Sequence, residues 1–476
     1  MKIVLKKNKL VSILIVLSFF SSLAITIAGF SVSIYTVGLY LCFLFFFFLK
    51  PKKYIVLILK FIKDHKSPFF YFTLYFCISL LNSCIVALFS EFNFLKCLLY
   101  LIAFILQIYG TIVISSILIS KYVSNNNLVK IFVSVFYSIL ILGILDIIAY
   151  LLNIKFIQYI FAGLHTRWIF AGNDFAFKAM SGILPRMQSI YDEPSQFGWI
   201  IFMCSPVLLY LYLNKVKIFK NKILNIVIEN TIIPLMYLDL ICTFSPIMII
   251  FTGISNGIIY ILHFLKKLKQ NPISYLKKAA FFAVFIVIIL SVFYVKNNNI
   301  VNETSYALNR VTTVVNNIKS IDDIIIKEQS LGTRLYTIIN NVIIFTKNPV
   351  IGIGFGQITT HMRNQIMDSP VSMNYEIYSQ YINNKISSAG IGYRILCENG
   401  IIGFLLYTLM FVRLFKNIKL CKKKSENKKE FYFLQGLSIS IISIYILFLY
   451  DIPFANPLPW VIIGISIAIT KRISER

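Results

Sequence analysis

Long apolar runs recur from one end of this chain to the other, and they constrain its fold more than any other feature. A helix rises 1.5 Å per residue, so crossing a bilayer core takes about 20 mostly apolar residues. Such runs read at 10–30, 31–49, 69–90, 97–120, 131–152, 197–214, 223–244, 246–265, 279–295, 390–412, 431–450 and 458–470. They predict an all-α polytopic membrane protein with about twelve transmembrane helices. Composition agrees. Of 476 residues, 58% are hydrophobic and only 14% charged, against about 25% charged in soluble domains. The mean hydropathy is +0.79. The several soluble domains that length alone would suggest are excluded.

Two runs need argument. Leu10–Phe30 follows a basic start, as a signal peptide would, but it is too long for a signal core and a second run follows at once. It reads as the first span. The run at 223–244 carries Glu229 and Asp239, yet Ile223 to Leu265 suffices for two spans, with Ser245-Pro246 as the turn. Tyr54–Lys63 is too short to span and holds Lys60 and Lys63, so it is expected as an amphipathic helix at the interface.

The net charge is +27. In a soluble protein that excess would point to nucleic acid. Here Lys and Arg gather in short connections: Lys50/Lys52/Lys53, Lys121/Lys130, Lys215 to Lys222, Lys266/Lys267/Lys269, Lys416 to Lys429, and Lys471/Arg472. With both termini cytoplasmic, every one of these clusters falls inside, as the positive-inside rule requires. No nucleic-acid partner is expected. The eight cysteines fall within or beside the apolar runs, outside both long loops and without metal-ligand spacing.

The organisation follows: five spans over 1–152, a first outer loop at 153–196, central spans over 197–295, a second outer loop at 296–389, and C-terminal spans and tail over 390–476. The second loop has helical periodicity. Leu308, Val311, Val315, Ile318 and Ile321 form one stripe; Leu335, Ile338, Val342 and Ile343 form another after Gly332. Two amphipathic helices over the membrane face are expected.

Chemistry concentrates in those loops. The first ends in Arg186-Met-Gln-Ser-Ile-Tyr191-Asp192-Glu193-Pro194-Ser195-Gln-Phe-Gly198, with His165 and Arg167 upstream. Pro194 and Ser195 suit a helix start and acids favour its N-terminus, so capping is one reading. A carboxylate acting as general base is the other. The second loop holds Arg310, Arg334, Lys347-Asn348-Pro349, Gly352-Ile-Gly354-Phe-Gly356, His361 and Arg363. The glycines lack the strand, helix and trailing acid of a dinucleotide site, and read as a close backbone approach or tight turn beside a ligand. Arginine suits phosphate through paired hydrogen bonds. Five of them on the disfavoured side is the most informative departure. Pairing with Asp192, Glu193, Asp322, Asp323 or Glu328 is the alternative. His361 is either a surface histidine or a group for proton transfer or phosphate contact. Within spans, Asp146, Glu229 and Asp239 read as hydrogen-bonded structural acids. No metal ligand set is visible, and no cofactor is expected.

These motifs, in this topology, resemble the O-antigen polymerase and O-antigen ligase superfamily of membrane glycosyltransferases. Arg186 through Gly198 looks like the family's Arg…Glu-Pro-Ser segment. Arg334 with Asn348-Pro349-Val-Ile-Gly352-Ile-Gly354-Phe-Gly356 looks like its second-loop arginine and glycine segment. Glu398-Asn-Gly400-Ile-Ile-Gly403 looks like its Glu-x-Gly span start. Two departures matter. Thr243-Phe244-Ser245-Pro246 lacks the arginine of the family's Thr-x-Ser-Arg. Ala389-Gly390 stands where the ligase branch carries His-Asn, which favours the polymerase branch.

The resemblance implies a bacterial inner-membrane polymerase that joins undecaprenyl-pyrophosphate-linked oligosaccharides into O-antigen or a similar surface polysaccharide. It implies Glu193 or His361 as catalytic base, and Arg186 and Arg334, then Arg310 and Arg363, on the pyrophosphate. Arg167, Tyr191, Ser195, Gly354 and Glu398 are supporting residues. The lipid bilayer, a chain-length regulator and a flippase are the partners it suggests. A ligase acting on lipid A-core and a lipid-linked oligosaccharide flippase are the alternatives; the flippase reading suffers from the lack of repeat symmetry.

Overall fold

The computed structural model describes residues 2–19, 24–27, 30–64, 67–89, 92–164, 187, 189, 191, 193–243, 245–268, 321–327, 329–383, 390–450 and 456–476. In chain order the helices are α1 (Lys2–Ser18), α2 (Ile34–Leu49), α3 (Pro51–Lys63), α4 (Pro68–Phe89), α5 (Phe94–Phe104), α6 (Gly110–Tyr122), α7 (Asn125–Leu151), α8 (Lys155–Leu164) and α9 (Pro194–Leu213). There follow α10 (Lys222–Cys242), α11 (Pro246–Leu268), α12 (Ile321–Lys327), α13 (Gln329–Lys347), α14 (Ile358–Met367), α15 (Tyr375–Ile382), α16 (Ile391–Lys423), α17 (Lys428–Tyr450) and α18 (Pro457–Ser474). The protein is an all-α polytopic membrane protein: nine helices among the described residues are long and apolar enough to cross a bilayer. They include the doubtful run at 223–244, which forms α10.

The first two expected spans differ. The helix that was expected over 10–30 ends at Ser18, and Ala24–Ile27 pairs antiparallel with Phe30–Ser33. Ile25, Thr26, Ile27 and Val32 explain the change, since β-branched side chains favour extended backbone. Ser33 then caps α2, its Oγ accepting from the Thr36 N–H. α2 bends by 117° into α3. Pro51 occupies the first helical position of α3 and drives Lys50 out of helical backbone. α3 is thus the separate short helix that Lys60 and Lys63 suggested, with Tyr54 buried and Ile55, Val56 and Leu59 exposed. The span expected at 279–295 and most of the helix expected over Leu308–Ile321 lie outside the described residues.

The chain divides into two compact units, Met1–Val135 with Thr313–Arg476, and Phe136–Thr312. In the first unit α18 is the central helix and packs on α6, α16 and α17. Small residues allow the approach: a Cβ on Gly464 would lie 2.2 Å from Ser115 Oγ, and Ser116 Oγ donates to the Gly464 carbonyl at 3.2 Å. Between α5 and α6, Ile105–Tyr109 widens into a π turn. The Tyr40 hydroxyl fills it, donating to the Leu106 carbonyl at 2.8 Å.

One end of this unit is closed by polar contacts. Arg472 donates to the Ile119 and Ser120 carbonyls at 2.7 and 2.8 Å and to Asn125 Oδ1. A cation there satisfies the last carbonyls of α6 and its dipole. Asn125 donates in turn to buried Glu430 at the start of α17, which Arg476 meets at 3.3 Å. At the other end, α12 to α15 form a small helical layer. Its core is Ile325, Tyr336, Ile344, Ile353, Ile358, Met362, Ile366 and Ile377, joined by Cys397 of α16. Gly332 lets α13 touch α12, since a Cβ there would sit 2.3 Å from the Ile325 carbonyl oxygen.

In the second unit α9 is enclosed by its neighbours. Gly198 admits Met248 of α11, where a Cβ would come within 2.7 Å of the Met248 side chain. Further along, Phe202 meets Phe251 at 5.7 Å, and Ser205 Oγ donates to Asn256 Oδ1 at 3.0 Å.

Candidate functional site

The glycine segment of the first unit packs against a broken helix. Gly400 has φ +62° and ψ −166° inside α16, which interrupts the helical ladder. The freed backbone groups are met by residues 349–354. Ile353 N–H donates to the Cys397 carbonyl at 2.9 Å and Gly354 N–H to the Glu398 carbonyl at 3.0 Å. Ile401 N–H donates to the Pro349 carbonyl at 2.8 Å. A Cβ on Gly352 would fall 2.4 Å from the Cys397 carbonyl oxygen, and Gly352, Gly354 and Gly356 all have positive φ. The expected close backbone approach is present, but its partner is α16 of the same chain rather than a ligand.

Glu398 completes this joint. It is 1% exposed, and Arg394 Nε donates to its Oε1 at 3.1 Å. The same oxygen accepts the Ile358 N–H at 3.4 Å, where α14 begins. One carboxylate therefore holds an arginine and a helix N-terminus together. The Arg394 guanidinium also stacks on Tyr100, 3.9 Å from the ring centroid. Arg394 was not among the residues singled out in the sequence. Its signal was there: Arg and Glu four apart share one helix face.

Arg334 lies on α13 with its guanidinium 5.4 Å from the Tyr450 ring, at the C-terminal end of α17. Gly390 abuts the same place, since a Cβ there would lie 2.5 Å from the Phe448 carbonyl oxygen. Arg334 and Arg394 are thus both fixed at the end of the bundle where α16 begins and α17 finishes. The end bearing Arg472 and Glu430 is at the other terminus of α17, 23 residues or about 34 Å away.

His361 does not join them. It lines a polar cleft of about 110 Å³ with Ile344, Lys347, Asn348, Asn364, Gln365 and Asp368. Lys347 Nζ donates to Gln365 Oε1 there at 2.7 Å. The α13 residues of this cleft start ten positions beyond Arg334, roughly 15 Å along the helix axis. Burial, and then the Lys347 charge, hold the His361 imidazole below its ordinary pKa. Arg363 is exposed, two residues on along α14 and so on a different face, with its guanidinium 5.8 Å from the Tyr381 ring.

In the second unit, the end of the first long connection is anchored at several points. Met187 N–H donates to the Cys242 carbonyl at 2.8 Å, and Ser189 N–H to Asp146 Oδ2 at 3.1 Å. Tyr191 is fully buried and stacks on Phe197 at 5.7 Å. Asp146 is therefore the hydrogen-bonded structural acid that its position in a span suggested. Glu193 occupies the N-cap position of α9, with Pro194 next, yet its side chain makes no capping hydrogen bond. The carboxylate instead accepts from Ser195 Oγ at 3.1 Å. Asp239 departs from expectation. It is fully buried on α10, and neither carboxylate oxygen has a hydrogen-bond partner among the described residues. Arg167, Arg186, Asp192 and Arg310 lie outside the described residues. Comparison with known proteins gives no match, either to a family model or to a curated protein.

Proposed function

We propose that the protein is a bacterial inner-membrane glycosyltransferase that polymerises undecaprenyl-pyrophosphate-linked repeat units into O-antigen or a related surface glycan at the periplasmic face. The placement of cations in the first unit carries this reading. Lysines crowd the end that holds Arg472. At the opposite end Arg394 is engaged by Glu398, while Arg334 is set on a helix with its guanidinium over the Tyr450 ring. Membrane topology disfavours cations on the outer side, so rigidly held guanidinium groups there suit an anionic headgroup.

The reaction needs no nucleotide sugar. A hydroxyl of the acceptor repeat unit attacks the donor's anomeric carbon. The bond to the diphosphate breaks, and undecaprenyl pyrophosphate leaves with the electron pair. Charge grows on the leaving group, which Arg334 stabilises, with Arg186, Arg310 and Arg363 as further candidates. The hydroxyl proton passes to a base. Glu193 is the first candidate, because its carboxylate is not consumed by capping. His361 is the second, since a depressed pKa keeps its imidazole neutral and able to accept a proton.

The test is Arg334→Ala in a deletion strain, scored by surface glycan length. Single-unit glycan in place of a ladder supports the assignment, and Arg334→Lys should restore only part of it, a point charge replacing a planar fork. A normal ladder from well-expressed Arg334→Ala protein overturns it.

A further inference from the structure

The second unit holds a layer of buried oxygen atoms that the proposed glycosyl transfer does not use. Asp239 on α10 is 0% exposed, with both carboxylate oxygens unpartnered among the described residues. On α11, Thr252 Oγ1 and Ser255 Oγ are also buried without hydrogen-bond partners among the described residues, as is Asn256 Nδ2. Residues 252, 255 and 256 share one face of that helix. The face is turned inward, because Asn256 Oδ1 accepts from Ser205 of α9 and Thr252 and Asn256 are both buried.

One contact and the helical rise set the register between α10 and α11. Near the turn, Gly198 sits against both Thr243 and Met248, which places those two side by side. One helical turn further from that point, α10 carries Asp239, four residues before Thr243, and α11 carries Thr252, four residues after Met248. The carboxylate and the Thr252 hydroxyl therefore share one layer of the bundle, yet no hydrogen bond joins them.

We propose that Asp239, with Thr252 and Ser255, forms an intramembrane binding site for a monovalent cation of the size of Na⁺. A bare carboxylate in an apolar bundle is costly and requires a counter-charge. No Lys or Arg among the described residues forms an ion pair with Asp239, and the other acids on the described helices of this unit are not placed to share a proton with it. Asp146 is bonded to Ser189, Glu193 to Ser195, and Glu229 is ten residues, about 15 Å, away along α10. A proton would cancel the charge but leave an O–H donor and a carbonyl acceptor unmet, beside two unmet hydroxyls. A cation in that layer would take oxygen ligands from the carboxylate and from the two unmet hydroxyls. A single acid favours charge +1, because a divalent ion would leave a net charge in the bundle.

The experiment is thermal unfolding of the full chain in detergent, titrated with NaCl against choline chloride at constant ionic strength. Na⁺ should raise the midpoint by about 2–4 °C, as a ligand that binds only the folded state does. Asp239→Asn and Thr252→Val should both abolish the rise, and Thr252→Val keeps the carboxylate if Asp239→Asn expresses poorly. An unchanged midpoint in Na⁺, or an equal rise in both variants, overturns the site. A midpoint that follows pH in the wild type but ignores Na⁺ also overturns it, and leaves Asp239 a protonated acid. None of these readouts depends on glycan synthesis.

Discussion

Glu398 and Asp239 are both buried acids, one in each compact unit, and the protein treats them in opposite ways. Glu398 meets Arg394 at 3.1 Å and the first N–H of α14 at 3.4 Å. Asp239 meets no hydrogen-bonding group among the described residues. An acid surrounded by its own donors is part of the architecture. The acid left without them is the one to which a bound cation is assigned. The difference can be tested by removing each charge in turn.

Removing the partnered charge should do the most damage. Glu398→Ala strands the buried Arg394 guanidinium and uncaps α14 in one step. Loss of one member of a buried pair costs about 3–5 kcal/mol. The expected outcome is a large fall in the unfolding midpoint or no folded protein in detergent, with Glu398→Gln recovering part of the loss. Full stability in Glu398→Ala would show that the pair adds nothing to the joint. Gly352→Ala attacks the same joint through backbone. It forces a side chain into positive φ and 2.4 Å from the Cys397 carbonyl oxygen, a cost of roughly 1–3 kcal/mol. Proteolysis should then reach the Asn348–Gly356 segment before the spans.

At Asp239 the same operation should cost little. Asp239→Asn removes a charge that has no partner among the described residues, so in Na⁺-free buffer its midpoint should match or exceed that of wild type. A fall as large as that of Glu398→Ala would mean that the two acids are alike after all.

The contrast also explains what could be read from residue order. The spans were legible because each is local: a run of about 20 apolar residues declares itself. Lys60 and Lys63 likewise marked α3. What stayed hidden depended on partners far away in the chain. Gly352 and Gly354 announced a close approach, but nothing local said that its other side was the break at Gly400. Asp146 and Asp239 looked equivalent as span acids. Only the fold brings Ser189 to one and leaves the other bare. The helix expected over 10–30 failed for a local reason, as β-branched Ile25, Thr26 and Ile27 favour the extended backbone of Ala24–Ile27.

The smallest expected effect concerns His361, which separates a catalytic role from a merely local one. Its pKa lies below the ordinary value near 6.5 because of burial and the neighbouring Lys347. The unfolded chain therefore takes up its proton first as pH falls. This histidine leaves stability intact above about pH 6.5 and lowers it as pH drops from there toward the folded value. His361→Gln should remove that acid-side slope, a change of a degree or so in midpoint between neutral and mildly acidic buffer, and leave stability at neutral pH nearly unchanged. Lys347→Gln should shrink the slope without abolishing it, because burial is the larger cause. If glycan polymerisation survives in His361→Gln while the slope vanishes, the imidazole belongs to the cleft alone, and Glu193 stands as the remaining candidate for the base. Polymer lost at unchanged neutral-pH stability would reverse that order and place His361, in the cleft whose α13 residues begin about 15 Å along that helix from Arg334, at the acceptor's end of the reaction.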